Sequence, residues 1–131
     1  MTLGCKGQAN KKKDSPLTTV IKLQSAEALM NLDEAEKYID VEKVYSKYSE
    51  SNNPKEEWKK MLSFLYNIGG TNKFTNQFKY FNYDIEEVVN RSVATVNFIS
   101  KNTDATIKQI TYTLSEVDDG KWKITAIDYK N

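Results

Sequence analysis

The sequence contains no histidine and a single cysteine, Cys5, in 131 residues. Without histidine there is no imidazole to bind zinc, to complete a Ser-His-Asp or Cys-His arrangement, or to shuttle protons near neutrality. A lone cysteine has no intramolecular partner, which excludes a disulfide scaffold. Arg91 is the one arginine among 19 basic residues, and arginine is the usual reader of phosphates and guanine edges. No run approaches the ~18 apolar residues of a membrane-spanning helix. What remains is ordinary for a globular chain: 39% hydrophobic and 28% charged. This length predicts one domain that buries roughly two-thirds of its unfolded surface.

The net charge of +1 hides an asymmetry. Residues 1–14 hold Lys6, Lys11, Lys12 and Lys13 against Asp14, while the rest of the chain is mildly acidic. An acidic body lacks the basic face of a nucleic-acid binder, so the lysine run reads as a solvated tail. Residues 6–15 contain one apolar side chain, Ala9. They bury too little to offset the entropy of ordering, which predicts a disordered tether over 1–15 and a folded domain over 16–131.

The first half carries helix signals. Ser15-Pro16 is an N-cap with a first-turn proline. Leu17, Val20, Ile21, Ala28 and Leu29 then predict a helix over 16–30 with one apolar stripe. Asp33 with Glu36 has capping-box spacing and predicts a short helix through Ile39. Asp40 is placed to cap another, with Val41, Val44, Tyr45 and Tyr48 on one face. Asn53-Pro54 restarts the pattern, Trp58, Met61, Leu62 and Leu65 form a stripe, and Gly69-Gly70 is a stop.

After Gly70 the apolar period changes to two. Phe78, Tyr80, Ile85, Val88 and Val89 predict a long, bulged first strand, and 93–99, 107–117 and 122–129 predict three more. In the third, Ile110, Tyr112 and Leu114 point one way and Thr111, Thr113 and Ser115 the other. In the fourth, Trp122, Ile124 and Ala126 are expected on one face, Ile127 and Tyr129 on the other. The links at Asn90-Arg91, Asn102-Thr103-Asp104 and Asp118-Asp119-Gly120 are turn-like, so the strands are antiparallel neighbours. Helices followed by strands predict an α+β fold, with the helices on one face of a four-stranded meander.

That order resembles the nuclear transport factor two-like (cystatin-like cone) superfamily, in which N-terminal helices pack in the concave face of a curled antiparallel sheet. The stretch Ala94-Thr95-Val96, Tyr112-Thr113-Leu114 and Asp119-Gly120-Lys121-Trp122-Lys123-Ile124 resembles small bacterial cell-envelope lipoproteins of the lumazine-binding-like branch. Asp33-x-Ala35-x-x-Tyr38-Ile39 is similar to a helix-to-helix passage of such domains. The run Thr2-Leu3-Gly4-Cys5 resembles the end of a lipobox. It implies lipid attachment at Cys5 and a location facing the periplasm or exterior, with the signal peptide's apolar stretch upstream of Thr2. The alternative is a free thiol in a flexible, soluble tail.

The resemblance implies two functions. One is a non-catalytic domain that binds a small apolar ligand or a protein partner, with Tyr38, Tyr45, Trp58, Tyr66, Tyr80 and Tyr112 lining the cone. The other is a ketosteroid-isomerase- or dehydratase-like enzyme using tyrosine hydroxyls and a carboxylate, Asp84 or Asp128. No acid pair has a spacing that compels a shared site, so the expectation is a non-enzyme without metal or cofactor. Glu56-Glu57, Glu86-Glu87 and Asp118-Asp119 lack calcium-loop spacing. A cone filled by Trp58, Leu62, Phe98 and Trp122 argues against an internal ligand and for an interaction role. The superfamily resemblance also implies a homodimer through the outer sheet face, at Thr111, Thr113, Ile127 and Tyr129.

Overall fold

The computed structural model describes residues 14–46, 53–67, 83–104, 107–118 and 120–131. Four helices precede four strands: α1 (Pro16–Ala28), α2 (Leu32–Ala35), α3 (Val41–Tyr45), α4 (Pro54–Asn67), β1 (Tyr83–Asn90), β2 (Val93–Ser100), β3 (Gln109–Asp118) and β4 (Lys121–Lys130). The strands form one antiparallel sheet in the order β1-β2-β3-β4, and α1 packs against β1, β2 and β4. This is the α+β order that the change of period predicts. Cys5, Tyr48, Gly69-Gly70, Phe78 and Tyr80, and the predicted 1–15 tether apart from Asp14 and Ser15, lie outside the described residues.

Capping explains the helix starts. The Thr18 N–H donates to Ser15 Oγ at 3.1 Å, the Lys43 N–H to Asp40 Oδ1 at 3.1 Å, and the Glu56 N–H to Asn53 Oδ1 at 3.3 Å. Each side-chain oxygen satisfies a first-turn donor that has no helical partner. The start of α2 differs from expectation. Asn31, not Asp33, is the cap, accepting from the Glu34 N–H at 3.3 Å.

Helix α1 stops at Ala28, two residues short of the predicted end. The Asn31 N–H donates to the Ala26 carbonyl at 2.9 Å and the Met30 N–H to the Glu27 carbonyl at 2.9 Å. This is a Schellman cap, and it holds Met30 at φ 56°. The cap swings Leu29 off the core face, leaving it 80% exposed. Residues 38–40 are not helical either. Ile39 bridges Ile124 in parallel, with the Asp40 N–H on the Ile124 carbonyl and the Ile124 N–H on the Tyr38 carbonyl, both at 2.8 Å. This long-range pairing ties the helical half to the edge of β4.

In the sheet, β1 pairs with β2 from Tyr83↔Ser100 to Asn90↔Val93 without a shift, so the expected bulge is absent from the described strand. The irregularity lies in β4. Leu114 faces Ile124 and Thr113 faces Ala126, so Thr125 is one extra residue. An extra residue reverses which side chains face inward. Ile127 therefore joins Ile124 in the core at 4% exposure, and Ala126 turns outward with Thr113. Tyr129 stands opposite the inward-facing Ile110. Both corrections remove Ile127 and Tyr129 from the outer face on which the homodimer expectation placed them.

The core lies between α1, α3, α4 and the inner face of β2–β4. Val20, Leu23, Ile39, Val44, Trp58, Leu62, Val96, Phe98, Leu114 and Ile124 are each at most 2% exposed. Burial of each large apolar side chain contributes about 1.5–3 kcal/mol.

Candidate functional site

Of the predicted stripe of α1, Val20 is buried, Leu17, Ile21 and Ala28 are half-buried and Leu29 is exposed. The buried residues of the helix are Pro16, Thr19, Val20, Leu23, Gln24, Ala26 and Glu27, so two long polar side chains enter the core. Thr19 Oγ1 donates to the Ser15 carbonyl at 3.1 Å. Gln24 Nε2 donates to the Tyr112 hydroxyl at 3.0 Å, joining α1 to β3. Trp58 Nε1 donates to Glu27 Oε2 at 2.8 Å, joining α4 to α1. Burial pushes the Glu27 carboxyl up to about 7, with the Trp58 N–H pulling the other way. Gln24 Oε1 is buried without a hydrogen-bond partner.

Aromatic rings pack beside this cluster. Phe98 meets Tyr112 edge-on at 5.7 Å and Tyr83 edge-on at 6.0 Å. Burial pushes the Tyr83 hydroxyl up. Tyr38 sits half-buried at the surface of the helical half and donates to Glu34 Oε2 at 2.6 Å. That bond pushes the Tyr38 phenol up to about 12 and holds Glu34 below the usual carboxylate range.

Of the expected lining residues, Tyr45, Trp58 and Tyr112 come together in one core, and Tyr38 stays at its margin. The Tyr66 side chain and all of Tyr80 fall outside the described residues. Asp84 is exposed, 4.0 Å from Lys101, and Asp128 is exposed opposite Thr111. Neither carboxylate reaches the interior. The core is occupied by Trp58, Leu62 and Phe98, and the half-buried Trp122 packs against it.

Among the described residues, two clefts open on the surface of the helical half. One, of about 460 Å³, is lined by Met30, Leu32, Asp33, Lys55, Trp58 and Lys59. The other, of about 410 Å³, is lined by Ile39, Asp40, Val41, Glu42, Pro54 and Lys123. Glu36 and Lys55 border both and form an ion pair at 3.0 Å between them. No protein-family model matches the sequence, and no curated protein matches it significantly. Among the described residues no helix is long and apolar enough to cross a membrane.

Glu27 and Gln24 are the site residues that the sequence reading misses, although a signal exists. Val20, Leu23, Gln24 and Glu27 stand at i, i+3, i+4 and i+7, the spacing of one helix face. A reading that ranks positions by polarity sends Gln24 and Glu27 outward. Chemically, a buried carboxyl near neutrality exchanges a proton at physiological pH. Its partner here is an indole N–H rather than the tyrosine hydroxyl of the enzyme expectation.

Proposed function

We propose that this chain is a non-catalytic binding domain of the bacterial cell envelope, built on the nuclear transport factor two-like cone and tethered by lipid at Cys5. We propose further that its target is a protein partner rather than a small ligand held inside. The interior offers support, because Trp58, Leu62 and Phe98 fill the place that a ligand would take. The observation that carries the reading is the cap of α1. Met30 adopts a left-handed conformation that favours glycine, at a cost of about 1 kcal/mol, and yet it is a methionine, 43% exposed. It stands next to the 80% exposed Leu29 and lines the same cleft as Trp58. Adaptable apolar side chains held at a strained position suit insertion against a partner's surface.

A photo-crosslinking amino acid at position 30, expressed in the native host, tests this. The expected result is one discrete protein adduct, absent when the probe sits at position 103. No adduct, together with an apolar dye bound by the purified domain and displaced on mutation of Phe98, would sink the reading. The anchor has its own test. Intact-mass analysis of the membrane fraction should find cleavage before Cys5 and added acyl chains, whereas a mature soluble chain retaining residues upstream of Cys5 excludes it.

One observation favours the enzyme reading, namely the buried Glu27 carboxyl near neutrality, the state that general acid–base catalysis uses. Isomerisation of a β,γ-unsaturated ketone by the wild type, abolished in Glu27→Gln, would establish it.

A further inference from the structure

The two edges of the sheet differ. Along β4, the stretch 38–40 lies beside Ile124 and bonds both its N–H and its carbonyl, so part of that edge is covered. Along β1, strand β2 is the one neighbouring strand among the described residues, and every residue from Glu86 to Asn90 is exposed. A long edge of this kind is a template for another strand, and natural proteins blunt it with a bulge, a proline or a lysine. Strand β1 carries none of these. Its pairing with β2 runs from Tyr83 to Asn90 without a shift, and its sequence is YDIEEVVN. Val88 and Val89 are each more than half exposed on it.

We propose that the exposed half of β1 pairs antiparallel with β1 of a second copy, so that two sheets join edge to edge about a two-fold axis. Charge selects the register. Directly opposed residues of a continuous antiparallel sheet share a face, so the axis passes between a residue and its own copy. An axis at Glu86 or Glu87 sets two carboxylates opposite one another, and an axis at Ile85 sets Asp84 opposite Glu86. Like charges so placed are destabilising. An axis at Val89 avoids the clash but overlaps only Val88–Asn90, because Arg91 already lies in the turn. An axis at Val88 engages all of Glu86–Asn90. Val88 then meets its own copy, Glu87 meets Val89, and Glu86 meets Asn90, so no carboxylate faces another. Arg91, which closes the hairpin at φ 62°, arrives beside Glu86 of the second copy.

The two faces of β1 suit this join. Val88 stands opposite Thr95 on the outer face, with the exposed Val93 near it, so pairing covers valines of both copies. Glu87 stands opposite the buried Val96 on the inner face. Its Oε2 accepts from the Leu17 N–H at 2.9 Å, and edge pairing uses backbone groups that leave this bond in place. The surface includes neither Met30 nor the two clefts, so the inference does not rest on the proposed partner.

Size exclusion with light scattering, run on the full chain over a wide range of concentration, should give a mass that climbs from one copy towards two. Val88→Lys sets two ammonium groups face to face at an exposed position. It should hold the mass at one copy and leave the denaturant midpoint of the dilute protein unchanged. The register is read with the native thiol removed by Cys5→Ser. Under mild oxidation Val88→Cys should form a disulfide-linked dimer, because opposed strand residues have the Cα separation that a disulfide needs. Glu86→Cys should cross-link only when mixed with Asn90→Cys. A single copy at every concentration, a dimer indifferent to Val88→Lys, or equal cross-linking of the single variants at 86 and 88 would each overturn the proposal. So would a photo-crosslinker at position 88 that joins the chain to a different protein, since the edge would then belong to another partner.

Discussion

Among the described residues, one set of hydrogen-bonded polar side chains lies inside the core and another on the outer face of the sheet. Inside, Gln24 bonds Tyr112 at 3.0 Å and Trp58 bonds Glu27 at 2.8 Å, with Gln24 Oε1 left over. Outside, on the outward face of β2 and β3, Gln109 Nε2 donates to Asn97 Oδ1 at 3.2 Å and to Thr111 Oγ1 at 3.1 Å, and Thr111 Oγ1 donates to Asn97 Oδ1 at 2.6 Å. The outer groups are half-buried, and water completes their valences at small cost. The inner groups have exchanged water for a low-dielectric core, where an unmatched partner costs about 1–3 kcal/mol and a charge costs more. Depth, rather than chemical type, makes one cluster sensitive to protons and the other a mere surface ladder.

The sharpest way to break the inner cluster is Trp58→Ala. It removes the largest fully buried side chain and strips Glu27 of its donor. The expected loss is about 3–5 kcal/mol, read as a lowered denaturant midpoint. A loss below 1 kcal/mol would mean that α4 is not anchored through this ring.

Next in size is a pH dependence. Glu27 titrates near 4.5 when unfolded and near 7 when folded. Between those values the native state binds more protons, so stability falls as pH rises through this window and is flat above it. The full span is on the order of 3 kcal/mol. Chemical denaturation at pH 5 and pH 8 should find the wild type more stable at pH 5, and Glu27→Gln should remove the difference contributed by this group. An equal slope in both proteins would place the proton elsewhere.

The outward placement of Thr111 and most of the sheet were legible in the sequence, and the inner polar pairs were not, for a physical reason. Ile110, Tyr112 and Leu114 alternate with Thr111 and Thr113, and period two fixes their faces directly. In α1 two stripes compete. The predicted one, Leu17, Val20, Ile21, Ala28 and Leu29, has only Val20 in common with the fully buried residues, which include Leu23, Gln24 and Glu27, because the Schellman cap ends the helix early and Tyr112 on β3 and Trp58 on α4 bond the two polar side chains. Only tertiary contacts decide between them. The same holds at Ile39, where pairing with Ile124 overrides the capping-box pattern. It holds again in β4, where the single extra residue Thr125 turns Ile127 inward, and an apolar Ile124-x-Ala126-Ile127 run does not say where parity breaks.

The cap itself gives a smaller effect of opposite sign. Met30→Gly relieves the left-handed backbone at φ 56° and should stabilise the fold by up to about 1 kcal/mol. Under the proposed function it should also abolish partner crosslinking from a neighbouring probe at Leu29. Gained stability with undiminished crosslinking would detach the strain from recognition.

The smallest effect belongs to Thr111→Val, which keeps a β-branched side chain in mid-strand and removes only the hydroxyl. Asn97 and Gln109 retain their mutual bond, and water reaches the vacated positions. The cost should be about 0.5 kcal/mol or less and the same at pH 5 and pH 8, since none of the three side chains titrates. Tyr112→Phe is the matched change inside. It deletes the hydroxyl that Gln24 bonds, strands an amide with no route to water, and should cost about 1–2 kcal/mol. If the two losses prove equal, depth is not what separates the clusters, and the proton dependence assigned to the inner one has to come from Glu27 alone.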